Sequence, residues 1–552
     1  MLWNKSPWLR QVSVAASSDA GICISPENTD EATRAMETKY LQDSFVRNVT
    51  PYGQPPRRLA SQLNSHPAVL PKKFLEDVNI FHEALIIALD DIVDRWWTDK
   101  EADFPSRMPL EPRVEKLLRW IAQGSKEGFA RPYKGNQGNL RPGILLSVSD
   151  APGTFPFRVC EINGRFPINF LHFVATGYEA LADTMKEWQD PFLKPASDHT
   201  KLFNGLLDLF DSSVPVHFLS ESSDLTEDSP LYGLIEQRTG MRPRSIKPSS
   251  LRLVGSATSP TGFDLYCITN LTTHRNTNLN TSANANANAN PNANTPENTP
   301  NRNLSPDLIN ENREEMEKVH QIALQLHDTE LFSLSEAMIR QIALCCINDV
   351  RSVFISHDKR ILGILRGEVD SLVHRGVLSE IRGEMLRNVL IPTILPSSNE
   401  VLAIREAARI NPGNKKDFIL KPLRLARGKG ILLGKNLSDE EWIEILNDMN
   451  TPSPSSSSSS SSSPGTGTET EIETVTGTRT GQYILQPFLP LQTVNWFWDE
   501  QRKVRNSRMV GTYYSVNGQF LGLGPWRTGV ASENVISAST KEVTTVMGVC
   551  LS

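Results

Sequence analysis

The sequence predicts a mixed α/β (α+β) protein, and two patterns lead to that expectation. Amphipathic helical segments alternate with short apolar runs of strand length along most of the 552 residues. Turn signals of the hairpin type, such as Asn517–Gly518, separate several of those runs. A chain of this length can form two or more domains with substantial cores. We therefore expect helices packed on more than one sheet.

Composition narrows the class of protein. The chain is 39% hydrophobic with a net charge of −6, which is typical of globular proteins and gives no basic surplus for nucleic acid. Its six cysteines are scattered without a C-x-x-C pair, so we expect reduced, mostly structural thiols. No continuous apolar leader opens the chain, and the run "ALIIALDDIVDRWW" carries acids that indicate a buried helix. We expect a cytoplasmic protein with neither a membrane nor a nucleic acid as partner.

The first half of the chain begins with a polar, Pro- and Ser-rich segment and continues with patterned sequence. Residues 1–70 are expected to form a partly disordered extension, and 71–123 to be helical. "GILLSVS" and "FRVCEIN" flank a turn-rich stretch within 141–175 and predict a β-hairpin. Helices and strands then alternate over about 195–270, which predicts a small α/β domain with a mostly parallel sheet.

The second half contains two low-complexity inserts, at 271–304 and 451–480, whose composition cannot form a core. Helices are expected around 312–350 and 366–390, and strands at "DFILKP", "ILLG" and "YILQPF". The helix "SDEEWIEILNDM" begins with the capping-box pair Ser438 and Glu441.

The stretch "VCEINGRFPIN" places Glu161, Asn163 and Arg165 at alternate positions. Alternate side chains of a strand share a face, so two oxygen ligands and a cation would lie together. Mg²⁺ prefers such hard oxygen ligands and bridges to phosphates. Arg141 opens the preceding strand and could reach a phosphoryl group or a carboxylate from across the hairpin. Taken alone, the stretch is equally compatible with an ordinary polar strand end.

Two lysines and a glutamine lie at the ends of apolar runs. Lys421 precedes a loop containing Gly428, Lys429 and Gly430, a pattern that suits nucleotide phosphates although it is not a P-loop. A basic surface hairpin explains it equally well. Lys359 would supply a second cation, and Gln486 could bond an adenine edge. The simpler interpretation of Lys359 is a solvated lysine at a helix start, and that of Gln486 is a buried strand end.

The order of these parts resembles the ATP-grasp superfamily. An E-x-N element is followed by D-K, by K-P with a Gly-rich loop, by Q-P and by a late arginine. The E-x-N element usually comes last, but here it comes first, as in the circularly permuted branch with eukaryotic glutathione synthetase and glutathionylspermidine synthetase. The resemblance covers most of 75–552 outside the inserts.

This resemblance implies ATP and Mg²⁺ as cofactors, with roles for particular residues. Glu161 and Asn163 match the metal ligands. Arg141, Arg165 and Arg527 match substrate or phosphate contacts, while the nucleotide-binding positions are Lys359, Lys421, Gly428, Lys429, Gly430 and Gln486. Relatives supply a third acidic ligand, but its two usual positions hold Gly143 and Leu425 here. Asp150, Glu500 or water could replace it.

The implied architecture is an ATP-grasp fold in permuted order with an inserted α/β substrate-binding domain. Its expected parts are the extension 1–70, ATP-grasp segments 71–194, 305–450 and 481–552, the substrate domain 195–270, and the inserts 271–304 and 451–480.

The implied function is ligation of a small-molecule carboxylate to an amine through an acyl phosphate, by a monomer or a homodimer. A nucleotide-binding pseudoenzyme of the same fold, or an interaction scaffold that uses the low-complexity segments, are the alternatives.

Overall fold

The computed structural model describes most of the chain, including almost all of the patterned sequence. The residues described are 9–20, 23–147, 157–221, 229–269, 308–311, 314–425, 428–450, 483–498, 503–530, 535–536 and 543–551. The expected inserts at 271–304 and 451–480 lie outside these ranges. No helix within them is long and apolar enough to cross a lipid bilayer.

The described residues contain helices and strands in mixed order, which confirms the α/β class. The helices are α1 (Val14–Ala20), α2 (Glu31–Val49), α3 (Arg57–Ser61), α4 (Lys72–Arg95), α5 (Phe104–Arg107), α6 (Pro112–Glu127), α7 (Leu171–Glu187), α8 (His199–Leu207), α9 (Pro230–Thr239), α10 (Asp328–Leu331), α11 (Glu336–Cys345), α12 (Ile361–His374), α13 (Glu380–Val389), α14 (Asn399–Ile410) and α15 (Asp439–Asn450). The strands are β1 (Arg10–Gln11), β2 (Leu63–Val69), β3 (Asn139–Leu146), β4 (Phe157–Asn163), β5 (Leu193–Pro195), β6 (Val216–Leu219), β7 (Arg244–Ile246), β8 (Leu251–Gly255), β9 (Phe263–Ile268), β10 (Leu308–Glu311), β11 (Glu314–Lys318), β12 (Gln321–Leu324), β13 (Phe418–Pro422), β14 (Leu432–Leu433), β15 (Tyr483–Pro487), β16 (Thr493–Trp498), β17 (Lys503–Val516), β18 (Gln519–Leu523), β19 (Trp526–Val530) and β20 (Val543–Leu551).

A ten-stranded sheet forms the centre of the molecule. Seven strands follow the order β1-β2-β20-β19-β17-β3-β4, while β16 and β18 also pair with β17 and β5 pairs with β20. Strands β3 and β4 form the expected antiparallel hairpin. The expected turn between β17 and β18 is also present, with left-handed backbone at Asn517 (φ 49°) and Gly518 (φ 80°).

The main sheet is covered by α4, the helix expected from its acid-interrupted apolar run. The ring of Phe74 lies edge-on to Phe157 of β4 at a centroid distance of 5.4 Å, and Phe81 packs against Tyr513 of β17. Both phenylalanines are fully buried. The burial of this face of α4 therefore fixes the helix against the hairpin that carries the candidate site.

The N-terminal segment differs from the sequence prediction. Partial disorder was expected for residues 1–70, yet β1 and β2 form one edge of the main sheet and α2 packs on α7. Helix α2 buries polar groups, among them Glu37, whose carboxylate bonds His66 at 3.0 Å. Since Glu37 and Ser44 share the buried face with Leu41, Phe45 and Val49, the apolar periodicity of this helix in the sequence is weak.

Two smaller sheets follow in the region expected to bind substrate. One is parallel, in the order β12-β6-β7, and the other is antiparallel, in the order β10-β11-β9-β8. The parallel sheet was expected, but its strand β12 comes from 321–324, beyond the predicted boundary. The helix prediction around 312–350 was wrong for β11 and β12. Pairing with β9 and β6 overrides the helical preference of the Glu- and Met-rich sequence.

The third small sheet, β14-β13-β15, carries Lys421 and Gln486 and packs against α14 and α15. The capping box at the start of α15 is present, because the Ser438 hydroxyl accepts from the Glu441 N–H and the Glu441 carboxylate accepts from the Ser438 N–H. Isolated bridges connect Val159 of β4 to the segment after α13, and that segment in turn to β15. This sheet is thereby held against the hairpin of the main sheet.

Candidate functional site

A β-bulge shapes the hairpin that carries the candidate site. Gly143 on β3 pairs with Glu161 on β4, but the next residue, Ile144, pairs with Val159. Cys160 is therefore the extra, unpaired residue of β4. Bulges bend a strand and redirect its side chains, and they are frequent beside functional sites.

Glu161 and Asn163 lie side by side after this bulge, as the alternate spacing predicted. The Asn163 amide donates to the Glu161 carboxylate at 3.1 Å and to the backbone carbonyl of Arg141 at 3.3 Å. Arg141 pairs with Asn163 across the hairpin. Asn163 is buried, whereas the Glu161 side chain keeps 33% of its surface exposed. An acid, an amide and a guanidinium thus share one partly open face.

Two buried lysines from other elements approach this acid. Lys359 Nζ lies 4.0 Å from Glu161 Oε2. Burial by itself would raise the pKa of Glu161, but the charges of Lys359 and Lys421, the Asn163 hydrogen bond and Arg141 lower it to about 2. Burial in turn lowers the pKa of Lys359. Glu161 is consequently ionised at neutral pH.

Arg527 on β19 completes a cluster of positive charge. Its pKa is lowered first by burial and then by the charge of Arg141, which lies nearby. The Nε of Arg141 is buried and has no hydrogen-bond partner among the described residues. The cluster contains four positive charges, on Lys359, Lys421, Arg141 and Arg527, and one negative charge, on Glu161. The surplus is therefore three positive charges. A surplus of this kind in a partly dry site favours a polyanionic ligand.

The Gly-rich loop is attached to Lys359. The Lys359 N–H donates to the carbonyl of Leu423 at 3.0 Å, and its Nζ donates to the carbonyl of Leu425 at 2.6 Å. Gly428 and Gly430 both adopt left-handed backbone, with φ of 73° and 71°. Lys429 between them is exposed. The loop therefore lies beside the site, with Lys429 directed to solvent.

Arg165, the third residue of the alternating motif, is engaged elsewhere. It is buried, forms an ion pair with Asp328 and donates to the carbonyl of Leu326 at 2.6 Å. Asp328 also accepts from Arg424 at 3.2 Å. Arg424 is part of the Gly-rich loop region, so Asp328 connects that loop to the end of the hairpin. The predicted contact of Arg165 with a substrate stays a prediction.

Gln486 is fully buried and supports the bulge. Its amide donates to the carbonyl of Cys160 at 3.3 Å and to the Thr393 hydroxyl at 3.0 Å. Its Oε1 is also buried and has no partner among the described residues. Since both observed bonds are internal, the structure assigns this side chain to holding the bulge residue in place. Its predicted role beside adenine stays a prediction.

Sequence reasoning missed Asp328 and Thr393, which are brought to the site from distant segments. Asp328 had a recognisable signal: it follows β12, and the carboxyl end of a parallel strand is a frequent place for functional groups. That signal was lost because 312–350 was expected to be helical. Thr393 lies in an irregular segment with no motif, so no comparable signal existed.

The donor atoms at this face are of the kind that would hold a magnesium ion. Glu161 and Asn163 offer two hard oxygen ligands. The residue opposite Glu161 is Gly143, where a Cβ atom would lie 3.2 Å from Glu161 Cγ. Leu425, the other usual position of a third acid, is exposed. Asp150 and Glu500 lie outside the described residues.

The chain is similar to known proteins over most of its length. The model of the AnkG N-terminal domain matches residues 81–355. The "ATP-grasp enzyme ankG" of Aspergillus thermomutatus is 30% identical over 531 residues, which cover 96% of this chain and 97% of that protein. Among solved structures, a glutathione synthetase-like effector (GSS30) from Globodera pallida, in its apo form, matches with a TM-score of 0.44 and 12% identity, over 95% of this chain and 98% of that one. From the ankG match over nearly its whole length, the chain belongs to the ATP-grasp enzyme family that includes ankG.

Proposed function

We propose that the protein is an ATP-dependent carboxylate–amine ligase that forms an amide bond and releases ADP and phosphate. One observation carries the proposal: the partly open cluster in which Lys359, Lys421, Arg141 and Arg527 surround the ionised Glu161. Its surplus of three positive charges matches the polyphosphate of ATP. Membership of an ATP-grasp family supports the same assignment.

The residues divide by chemistry. Glu161 and Asn163 would hold Mg²⁺, which when bound supplies charge neutralisation between phosphate oxygens. Lys359 and Lys421 would neutralise the phosphates, and the N–H groups around Gly428, Lys429 and Gly430 would cover them when the loop closes. Gln486 would act on the adenine side by positioning β15 and the bulge. In this permuted order, the substrate-binding part extends from 195–270 to include β11 and β12.

The reaction we propose needs positioning rather than a protein nucleophile. A substrate carboxylate oxygen attacks the γ-phosphorus, the bond to the β-phosphate oxygen breaks, and ADP leaves. The amine nitrogen then attacks the acyl carbon of this acyl phosphate, phosphate leaves, and the amine's proton passes to solvent. Arg141 and Arg527 hold the carboxylate and stabilise the charge on the transferring phosphoryl group, and Arg165 has a supporting role. Preorganised cations of this kind act more strongly here than in water because the site is partly dry.

The test is ADP release from purified full-length protein mixed with Mg-ATP and pools of carboxylates and amines. We expect release only when an acid and an amine are both present, and at least a tenfold lower rate for Glu161→Gln. ATP binding without release in amino acid, small-peptide and polyamine pools would favour the pseudoenzyme, to which the missing third acid at Gly143 also points. Absence of ATP binding would contradict the proposal and favour a scaffold.

A further inference from the structure

Three side chains with metal-binding atoms meet away from the ATP site. They are His217 on β6, Cys267 on β9 and Glu317 on β11, and all three are buried. One ligand atom from each lies within 4.8 Å of the other two. No other group of His, Cys, Asp and Glu in the described residues is arranged in this way.

The strands explain why these groups meet. Cys267 lies directly opposite Glu317 in the antiparallel pairing of β9 with β11, so the two side chains share a face. His217 belongs to β6 in the centre of the parallel sheet. His217 Nε2 lies 3.9 Å from Glu317 Oε1. The group therefore bridges two sheets that share no strand pairing within the described residues.

His217 is the independent sign that something is bound here. Its side chain is 0% exposed, and neither ring nitrogen makes a hydrogen bond of good geometry within the described part of the chain, although the backbone of Pro215 and Gln321 lies close to the ring. A buried polar group without a partner is costly, by about 1–3 kcal/mol, and native proteins rarely retain one.

We propose that His217, Cys267 and Glu317 bind one zinc ion, with water as the fourth ligand, and that this ion joins the two small sheets. One nitrogen, one sulfur and one carboxylate oxygen form a donor set that Zn²⁺ accepts in tetrahedral sites. Zinc bonds of about 2.0–2.3 Å place tetrahedral ligand atoms about 3.3–3.8 Å apart. From separations of up to 4.8 Å, the group needs to contract by no more than about 1.5 Å to reach that spacing.

Arg244 fits this arrangement as an outer partner. It lies opposite His217 on the neighbouring strand β7 and forms an ion pair with Glu317 Oε2 at 2.5 Å. The other oxygen of that carboxylate, Oε1, is the one nearer to His217. A carboxylate that binds a metal through one oxygen and a cation through the other is held in a fixed orientation.

The test is a cobalt titration of the metal-stripped full-length protein, read by absorption. Thiolate bound to Co²⁺ gives a near-ultraviolet charge-transfer band, and tetrahedral Co²⁺ gives intense visible bands. We expect both bands to saturate at one Co²⁺ per chain and to disappear on addition of one equivalent of Zn²⁺. Zinc should also raise the melting temperature. In Cys267→Ser the thiolate band should be absent and zinc affinity should fall more than about tenfold.

Cys160→Ser is the matched control, because that cysteine lies beside the proposed magnesium ligands and could bind cobalt itself. We expect it to retain both bands. Glu317→Gln, which keeps its shape, is the second variant if Cys267→Ser fails to fold, and it should weaken zinc binding by more than about tenfold. Absence of stoichiometric binding, or a thiolate band that survives in Cys267→Ser, would overturn the zinc site without touching the ATP proposal.

Discussion

The candidate site depends on one acid and the charges around it. The alternate spacing of Glu161 and Asn163 could be predicted from the sequence, because strand periodicity alone puts them on one face. The bulge at Cys160 could not be predicted, since it arises from pairing with β3 and from the buried amide of Gln486. Nor could the approach of Lys359, which lies almost two hundred residues further along the chain and reaches Glu161 only through the tertiary fold.

At the residue scale, we predict that ionised Glu161 stabilises the folded chain and that this stabilisation is lost in acid. Its pKa is about 2 in the folded chain, since Lys359 and Lys421 outweigh the effect of burial, whereas the pKa of an unfolded glutamate is about 4.3. Between these values the unfolded state binds more protons. The contribution is therefore present above about pH 4.3 and is lost as the pH falls towards about 2.

Urea unfolding of the wild type and Glu161→Gln from about pH 6 to about pH 3 measures this contribution. The wild type should lose more free energy of unfolding than the variant across that range. If the two curves stay parallel, Glu161 has an ordinary pKa and the proposed cation cluster is not formed in solution.

Arg165 gives a second prediction at this scale. Arg165 is buried and bonds the Leu326 carbonyl and the partly exposed Asp328, so Arg165→Met should lower the free energy of unfolding by about 1.5–3 kcal/mol. Arg382→Met is the control: it removes an exposed ion pair with Glu83 and should cost less than about 1 kcal/mol. Unchanged stability together with lost ADP release would instead assign Arg165 to the substrate.

At the element scale, helices and turns could be predicted where residues close in sequence determine the structure. The hairpin turn at Asn517–Gly518, the helix α4 and the capping box of α15 all follow from short-range chemistry. The strands β11 and β12 do not, because their partners β9 and β6 lie far away in sequence. Helix α2 was missed since Glu37 and Ser44 lie among its buried apolar residues and weaken the periodicity.

The capping box gives the prediction for this scale. Ser438→Ala removes the acceptor of the Glu441 N–H and should destabilise the chain by about 1 kcal/mol, measured by chemical denaturation. Glu444→Gln changes an exposed position of the same helix and should remain within about 0.5 kcal/mol of the wild type. Equal effects of the two substitutions would mean that α15 does not depend on its cap.

At the scale of the whole molecule, the site exists because two sheets meet. The hairpin of the main sheet supplies Glu161 and Asn163, and the small sheet β14-β13-β15 supplies Lys421 and Gln486. The order of the motifs along the chain identified these parts, and that order was enough to predict the family. Their relative placement could not be predicted, because it depends on long-range contacts such as the bridge between Val159 and Leu390.

The central claim is that these two sheets form one Mg-ATP site, and calorimetric titration of ATP with and without Mg²⁺ tests it most directly. Lys421→Met keeps most of the buried volume and removes the charge. It should therefore weaken ATP binding by about 1.5–3 kcal/mol, which is more than tenfold in Kd. Lys116→Met, at an exposed lysine of α6, should leave binding unchanged. Equal, magnesium-independent binding by the wild type and Lys421→Met would contradict the account.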